Sequence, residues 1–513
     1  MNYADLFRIT LPETILEVAA LVVLLVDLAF LRKSSLRVRA AVASVLGIAG
    51  CAVAFFVMLG QGTQTFCATG TVDTALLATG GLIAVAQSGI LALTALTLLL
   101  LIDASFTRHP GEYVAVALMS ATGGIIISGA QDLLVIFIGL ELLSLGLYIL
   151  TAFAKQSGRS AEAALKYYLF GGMSAAFLLF GFSYLYGLTG STNLHQVVIG
   201  SITSFGSGSP LFYMALVLIA AGLGFKVAAV PFHLWAPDAY EGAPAPAAAF
   251  IASVSKVASF ALLIGIGTAI VHPFGDTHLV WYGIVTIHSG PLPKYVGLAG
   301  PWSILLAVLA AASMLAGNLA ALAQVSVRRL LAYSAVAHAG YMLLALAYPT
   351  QSPRSNEAVL YYILTYGLTT IGAFGVVGVV ERATGSDKLD SFLGLHKRNP
   401  LLAAVLLILL LSLAGIPPLV GFWAKFNLFT AVLAAGHGAV PFALVALAVG
   451  MSAVSLYYYL QVLKRVYVMA APPEACCCID VHPVTAMVLA LIAAAVLVMG
   501  CMPAVLQNWI AGL

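Results

Sequence analysis

Residues 222–256 read GLGFKVAAVPFHLWAPDAYEGAPAPAAAFIASVSK. Lys226 stands inside one apolar run and Lys256 inside the next, and Pro231, His233, Trp235, Asp238 and Glu241 mark the bend between them. A charged side chain at the centre of a spanning helix costs about 2.5–3.5 kcal/mol on insertion scales, so lysines in such surroundings are either hidden in a polar interior or put to use. Which of the two applies depends on whether the flanking runs are membrane spans.

Composition answers that. Of 513 residues 62% are hydrophobic and 8% charged, against about 25% charged in an ordinary soluble domain. Apolar runs long enough to cross the hydrocarbon layer, which takes about 20 helical residues, number fourteen. They lie near 11–31, 38–60, 75–102, 112–129, 132–153, 161–188, 210–236, 244–271, 301–323, 328–348, 357–381, 400–432, 441–468 and 483–511. Each run is continuous rather than alternating, so the expected fold is an all-α polytopic membrane protein and not a barrel. The N-terminus scatters Asp5, Glu13, Glu17 and Asp27 through its apolar stretch and carries no small-residue cleavage site. It reads as a first spanning helix rather than a signal peptide. A net charge of +3 without like-charge blocks argues against a nucleic-acid partner.

The loops set an expected orientation. Odd-numbered loops hold fifteen basic residues, among them Arg32, Arg159, Arg328, Arg329, Arg382 and Lys464, whereas even-numbered loops hold only Lys294 and Arg354. The positive-inside rule then places both termini in the periplasm of a bacterial inner membrane. Outside the loops and Arg8 of the N-terminal segment, four basic residues remain, all within predicted helices: Lys166, Lys226, Lys256 and Lys425.

Depth separates these four. Lys256 follows Pro246 by ten residues, which at 1.5 Å per residue is near the midplane. Lys226 is similarly deep, whereas Lys166 lies about two turns into its helix, where its stem reaches toward the interface. Glu141 lies nine residues beyond Asp132, also at mid-membrane depth, and Lys226 is its expected partner. Two helices carry proline breaks beside a lysine: Pro231 five residues after Lys226, and Pro417–Pro418 shortly before Lys425. Proline frees a backbone carbonyl, which at membrane depth is tolerated where protein or water satisfies it.

The order of these features suggests a repeat. Residues 1–111 form helices one to three, 112–271 a first five-helix unit, 272–300 a periplasmic loop, 301–468 a second five-helix unit, and 469–513 a cytoplasmic loop with the last helix. Each unit has its lysine-bearing broken helix in fourth place, and an odd number of helices per unit inverts the second relative to the first. His338, in RRLLAYSAVAHAGYMLLALAY, is also near the midplane, with Ser334 and Tyr341 one turn away on the same face. A lone buried histidine is commonly a satisfied packing residue; this one is also placed to carry a proton.

No site for organic chemistry is legible. Phosphate-cradling and dinucleotide glycine motifs are missing, and no cysteine set or histidine pair has cluster, zinc or haem spacing. The triplet Cys476, Cys477 and Cys478 and the loop histidines His272, His278 and His288 lack ligand spacing. What the chain has is a row of buried amines and one buried carboxylate. Burial disfavours the ammonium and a carboxylate nearby favours it, so moving the partner loads or unloads a proton. Ion pairs serving only to lock helices are the contrary reading, but the lysines outnumber the one deep carboxylate, and unpaired buried cations stabilise poorly.

At these residues a resemblance appears. FKVAAVPFHLWAPDAYEGAPAPAAAFIASVSKVA, QVSVRRLLAYSAVAHAGYMLLAL and AGIPPLVGFWAKF resemble the antiporter-like subunits of proton-pumping NADH:quinone oxidoreductase, respiratory complex I, and among these subunit N. The likeness covers helices four to thirteen. It implies fourteen helices with two inverted five-helix units and broken helices seven and twelve. It also implies other membrane-arm subunits as partners in the bilayer, and a redox-driven translocase in which flavin, iron–sulfur clusters and quinone belong to partner subunits, with no cofactor, metal or redox centre on this chain. Carried onto this sequence, Glu141 and Lys226 look like the glutamate–lysine pair, Lys256 like the central relay lysine, Lys425 like the terminal one, and Lys166 like a further lysine on helix six. The alternative is a subunit of a multi-subunit cation/proton antiporter, which uses the same fold without electron transfer.

Overall fold

The computed structural model of the chain describes residues 3–67, 75–103, 106–205, 209–271, 296–349, 354–436, 438–470 and 478–512. Cys476, Cys477 and the histidines of the loop after residue 271 lie outside them. Twelve described helices are long and apolar enough to cross a membrane. A thirteenth span is the pair α1 (Tyr3–Ile9) and α2 (Leu11–Ala29), which meet at 70°. The twelfth apolar run is divided into two shorter helices, and with it every run expected from sequence is accounted for.

After α3 (Leu36–Gln61) the expected third helix begins late. Residues 75–79 instead form strand β2 (Ala75–Thr79), antiparallel to β1 (Gln64–Cys67) with Gln64 opposite Thr79. ALLAT is apolar enough to extend a helix, but Gly80 and Gly81 take φ of 95° and 51°, so the chain turns there and α4 runs from Gly81 to Leu101.

Next come α5 (Pro110–Gly129), α6 (Leu133–Thr151), α7 (Gly158–Thr189) and a short α8 (Leu194–Phe205). Asp132 caps α6 by accepting from the Leu134 and Val135 amides, as an N-cap aspartate does. The seventh span is α9 (Pro210–Val227), from which an irregular segment leads to the short helix α10 (Trp235–Gly242) outside the apolar span. The eighth is α11 (Ala245–Ala252) and α12 (Val254–Val271), interrupted at Ser253; no proline or glycine announced that interruption. Then follow α13 (Val296–Leu322), α14 (Val327–Ala347), α15 (Arg354–Thr384) and the single turn α16 (Leu395–Arg398). The broken twelfth span is α17 (Pro400–Ala414) and α18 (Val420–Ala435), and α19 (Ala439–Tyr467), α20 (Pro483–Cys501) and α21 (Pro503–Gly512) complete the chain.

The centre of the bundle is α11–α12, α14 and α15, whose apolar windows are 94% buried, whereas α19 turns most of its surface outward with 22%. Gly317 of α13 faces the backbone of α14 at Ala337, and Gly340 of α14 faces α13 at Ala310 and Met314. Small residues at both points let these two helices approach closely, as membrane helices do where no hydrophobic drive holds them together. One end of the bundle carries Arg159, Arg328, Arg329 and Arg382 around the α10–α11 connection and is called the basic face below.

Candidate functional site

The first break is closed from both sides. At the end of α9, Ala228 adopts a left-handed conformation (φ 60°, ψ 42°), with its amide donating to the Phe225 carbonyl and the Ala229 amide to the Gly224 carbonyl. A non-glycine residue there costs about 1–2 kcal/mol, which the surroundings must hold in place. Trp235 Nε1 donates to the Phe225 carbonyl at 3.0 Å, and the Val230 amide donates to Ser313 Oγ of α13 at 2.9 Å. The backbone groups freed around Pro231 thus find protein partners.

Lys226 lies in the last turn of α9, 7% exposed. Its ammonium is 3.8 Å from Glu141 Oε1 and donates to Ser144 Oγ, one turn further along α6. The cation also sits at the C-terminal end of α9, where the unpaired carbonyls favour positive charge.

Lys256, on the second turn-forming segment α12, is 1% exposed. It donates to the Ala335 carbonyl of α14 at 2.6 Å, and its ammonium lies 5.5 Å from the centre of the Tyr366 ring. No described carboxylate pairs with it.

From Lys256 a cluster of rings and hydroxyls leads onward. The Tyr366 ring is 4.9 Å from that of His338, whose Nδ1 is 2.7 Å from the Tyr362 hydroxyl and whose Nε2 is 3.5 Å from the Tyr459 hydroxyl. Tyr459 hydrogen-bonds Ser334 and stacks edgewise on Tyr458. The Tyr458 hydroxyl donates to Asn318 Oδ1 and Asn318 Nδ2 to the Tyr341 hydroxyl, both at 3.1 Å. The Tyr341 ring lies 5.4 Å from the Lys425 ammonium. A succession of ring contacts and hydrogen bonds therefore leads from Lys256 through His338 to Lys425.

Lys425 sits at the second break. Gly415 ends α17 in the left-handed region (φ 86°), its amide donating to Leu411 and Ser412 and that of Ile416 to Leu411. Pro417 and Pro418 follow. Lys425, on α18 and 6% exposed, reaches back to donate to the Ala414 carbonyl at 2.8 Å and to Ser452 Oγ at 2.7 Å. Its stem passes over Gly415, where a methyl group would collide with it. Glycine is required there both for φ and for space.

Lys166 belongs elsewhere. It is 42% exposed and pairs with Glu162 at 2.8 Å and Asp238 at 2.9 Å. Asp238 also accepts from Arg329 at 2.7 Å, and Arg329 reaches Glu241 at 3.0 Å. Burial pushes the Asp238 carboxyl up, but hydrogen bonds from Lys166 and Arg329 outweigh it and hold the group below its ordinary value. Arg328 pairs with Glu381 and donates to the Glu241 and Ala243 carbonyls, so the two arginines clamp the α10–α11 connection to α14.

Of the residues singled out from sequence, the structure brings Glu141 to Lys226, sets Lys256 and Lys425 at opposite ends of the histidine–tyrosine cluster, and puts His338 at its middle. Sequence reasoning passed over Ser144, Ser452, Asn318, Tyr362, Tyr366 and Tyr459. Ser144 was findable as the residue three on from Glu141 on the same helix face. The tyrosines had no distinguishing spacing. Among the described residues no group of three or more His, Cys, Asp or Glu is placed to hold a metal ion.

The family described as NADH:quinone oxidoreductase/Mrp antiporter, TM, matches residues 130–292 and 291–452. NADH-quinone oxidoreductase subunit N 2 of Acidobacterium capsulatum is 45% identical over 99% of both chains. A chain of respiratory complex I from Thermus thermophilus with bound aureothin superposes with a TM-score of 0.75 at 32% identity, covering 97% of this chain and 98% of that one. A chain of the Mrp complex from a Dietzia species superposes with a TM-score of 0.78 at 22% identity, over 98% of this chain and 51% of that one, a likeness of fold.

Proposed function

The chain belongs to the NADH:quinone oxidoreductase/Mrp antiporter membrane family, and on that premise we propose that it translocates protons within the membrane arm of an NADH:quinone oxidoreductase. Quinone reduction elsewhere in the complex supplies the driving energy, since moving one charge against 100 mV costs about 2.3 kcal/mol. Flavin, iron–sulfur clusters and quinone belong to partner subunits, and this chain contributes no redox centre. Full-length likeness to subunit N relatives favours this reading over a cation/proton antiporter subunit, for which the Mrp likeness speaks through fold alone.

The observation that carries the proposal is the succession of ring contacts and hydrogen bonds that leads from Lys256 through His338 to Lys425 inside the bundle. A change in charge at Glu141–Lys226 is passed to Lys256, then by way of His338 and its tyrosines to Lys425. Lys166, half-exposed and paired twice, tunes the first pair from the basic face rather than carrying protons through the interior. The basic face is cytoplasmic and both termini are periplasmic in a bacterial inner membrane. On the opposite face a cavity of about 620 Å³, lined by Glu357, Tyr361, Asn427 and Thr430, adjoins α18 and offers a way out.

The two broken spans support the reading of two inverted five-helix units, 112–271 and 301–468. Each ends its upstream half-helix on a left-handed residue, with a proline three residues on, Pro231 after Ala228 and Pro418 after Gly415. Replacing Lys256 with Met in the assembled complex is expected to cut proton pumping by a factor of about 10 or more, read by dye quenching in vesicles. Full pumping at an unchanged oxidase rate removes Lys256 from the relay.

A further inference from the structure

The relay above explains passage along the bundle but not how a proton arrives at Lys256, which is 1% exposed. A cavity of about 420 Å³ lies at the basic face, lined among others by Arg159, Glu241, Pro244, Arg328, Gly378 and Glu381. At about 30 Å³ per water it holds on the order of ten. It sits at one end of the contact between α11 and α15, where Gly378 faces Ala245. Lys256 and Tyr366 meet further along the same line: Lys256, on α12 beyond the Ser253 interruption, eleven residues after Ala245, and Tyr366, on α15, twelve residues before Gly378.

Tyr240 lies between these two places. It directly precedes Glu241 and Gly242, which line the cavity. Its ring meets that of Phe374 edge-on at 5.7 Å, and Phe374 directly precedes Gly375, another lining residue. Tyr366 lies eight residues before Phe374, about two turns back on the same face of α15. The side chain is fully buried, yet the hydroxyl has no hydrogen-bond partner among the described residues. Buried hydroxyls are rarely left without one, and this one belongs to a ring packed on Phe374, between the cavity-lining Gly375 and Gly378 and the Tyr366 end of α15, where water from the cavity would satisfy it.

We propose that the Tyr240 hydroxyl is the step by which protons pass from the basic-face cavity to the Tyr366–Lys256 pair. One proton moves per event. A protonated Glu381 carboxyl gives its proton through cavity water to the Tyr240 oxygen as the phenolic proton leaves for the Tyr366 oxygen. Tyr366 gives its own proton to the neutral Lys256 amine, which ends as ammonium; both phenols end neutral, and Glu381 ends as carboxylate and is reprotonated from solvent. No bond to carbon changes and no electron is transferred. Glu381, held by Arg328 at the cavity wall, is the carboxylate that gathers protons there. The inference rests on the reading of Lys256 as a proton carrier.

The test is Tyr240→Phe in the assembled complex, which keeps the ring against Phe374 and deletes the hydroxyl. Unchanged assembly and thermal stability are expected, with pumping down about fivefold and a solvent deuterium isotope effect on turnover larger than the parent's, as for a rate-limiting proton transfer. A purely structural role does not move the isotope effect. Pumping within twofold of the parent, with Lys256→Met inactive, overturns the Tyr240 step while leaving the relay standing. If Lys256→Met also pumps fully, the relay itself is overturned. A second route avoids any folding defect: Ser157→Cys at the cavity wall, labelled from the basic face with a bulky maleimide, against the labelled parent as control. Lost pumping on labelling supports the cavity as the source, and full pumping by the labelled protein overturns it.

Discussion

The two broken helices solve one backbone problem in the same way and then treat their lysines differently. In both, the upstream half-helix ends on a left-handed residue, and in both a lysine ammonium comes to the carbonyl end of that half-helix. Lys226 is carried by the upstream half itself and has a carboxylate, Glu141, at 3.8 Å. Lys425 is carried by the downstream half, reaches back across the break, and finds only neutral groups: a carbonyl, a serine hydroxyl and the Tyr341 ring. A charge held by a carboxylate is released when that carboxylate moves or is neutralised. One held by fixed dipoles changes only when its own proton leaves. The first site is therefore suited to receiving a signal, and the second to discharging a proton.

That contrast can be broken most directly at its ionic member. Glu141→Gln keeps the shape but strands a buried ammonium, and pumping is expected to fall about tenfold or more. Ser452→Ala, which removes one of the dipoles around Lys425, should retain at least half. Equal losses from the two substitutions, measured in the same vesicle assay, would show that the sites do not differ in kind.

A smaller effect concerns how the breaks are pinned. The first is held by a side chain from another helix, Ser313 of α13 on the Val230 amide, whereas Ser412, of α17 itself, serves the Gly421 amide at the second. Ser313→Ala leaves a buried amide without its acceptor and should cost about 1–3 kcal/mol. A lower Tm for the purified complex checks this, and an unchanged Tm would mean that the break does not depend on α13.

The smallest expected effect is at the ion cluster that only the first break has beside it. Asp238 is held below its ordinary value, so its stabilising contribution is present above the unfolded carboxylate range and is lost as pH falls through the depressed value. Asp238→Asn should cost roughly 0.2–1 kcal/mol at neutral pH, as for other partly exposed pairs. The gap in thermal stability between parent and variant should narrow as pH falls below the unfolded Asp value of about 3.9 and close only below the depressed folded value. A gap independent of pH would assign the loss to packing instead.

Much of this was legible in the chain. Lysine and glutamate are costly in hydrocarbon, so Glu141, Lys226, Lys256 and Lys425 stood out against their neighbours, and Pro231 and Pro417–Pro418 marked two breaks because proline withholds a backbone donor. The break at Ser253 was not visible, since nothing in FIASVSK forbids a continuous helix. Strand β2 was misread as helix because ALLAT satisfies both, and only the two glycines after it decide.

The sequence by itself determined the membrane class, the apolar spans and the burial of Lys226, Lys256 and Lys425, because each follows from the cost of moving a residue out of water, but it did not mark Glu141 as partly exposed or Asp27 and Arg328 as buried. The tertiary structure alone decided which groups meet. Tyrosine, asparagine and serine are common in membrane helices and carry no depth penalty large enough to mark them. Only the packing of α14, α15 and α19 makes His338, Tyr362 and Tyr459 neighbours, and only that of α10 on α15 leaves the Tyr240 hydroxyl without a partner among the described residues.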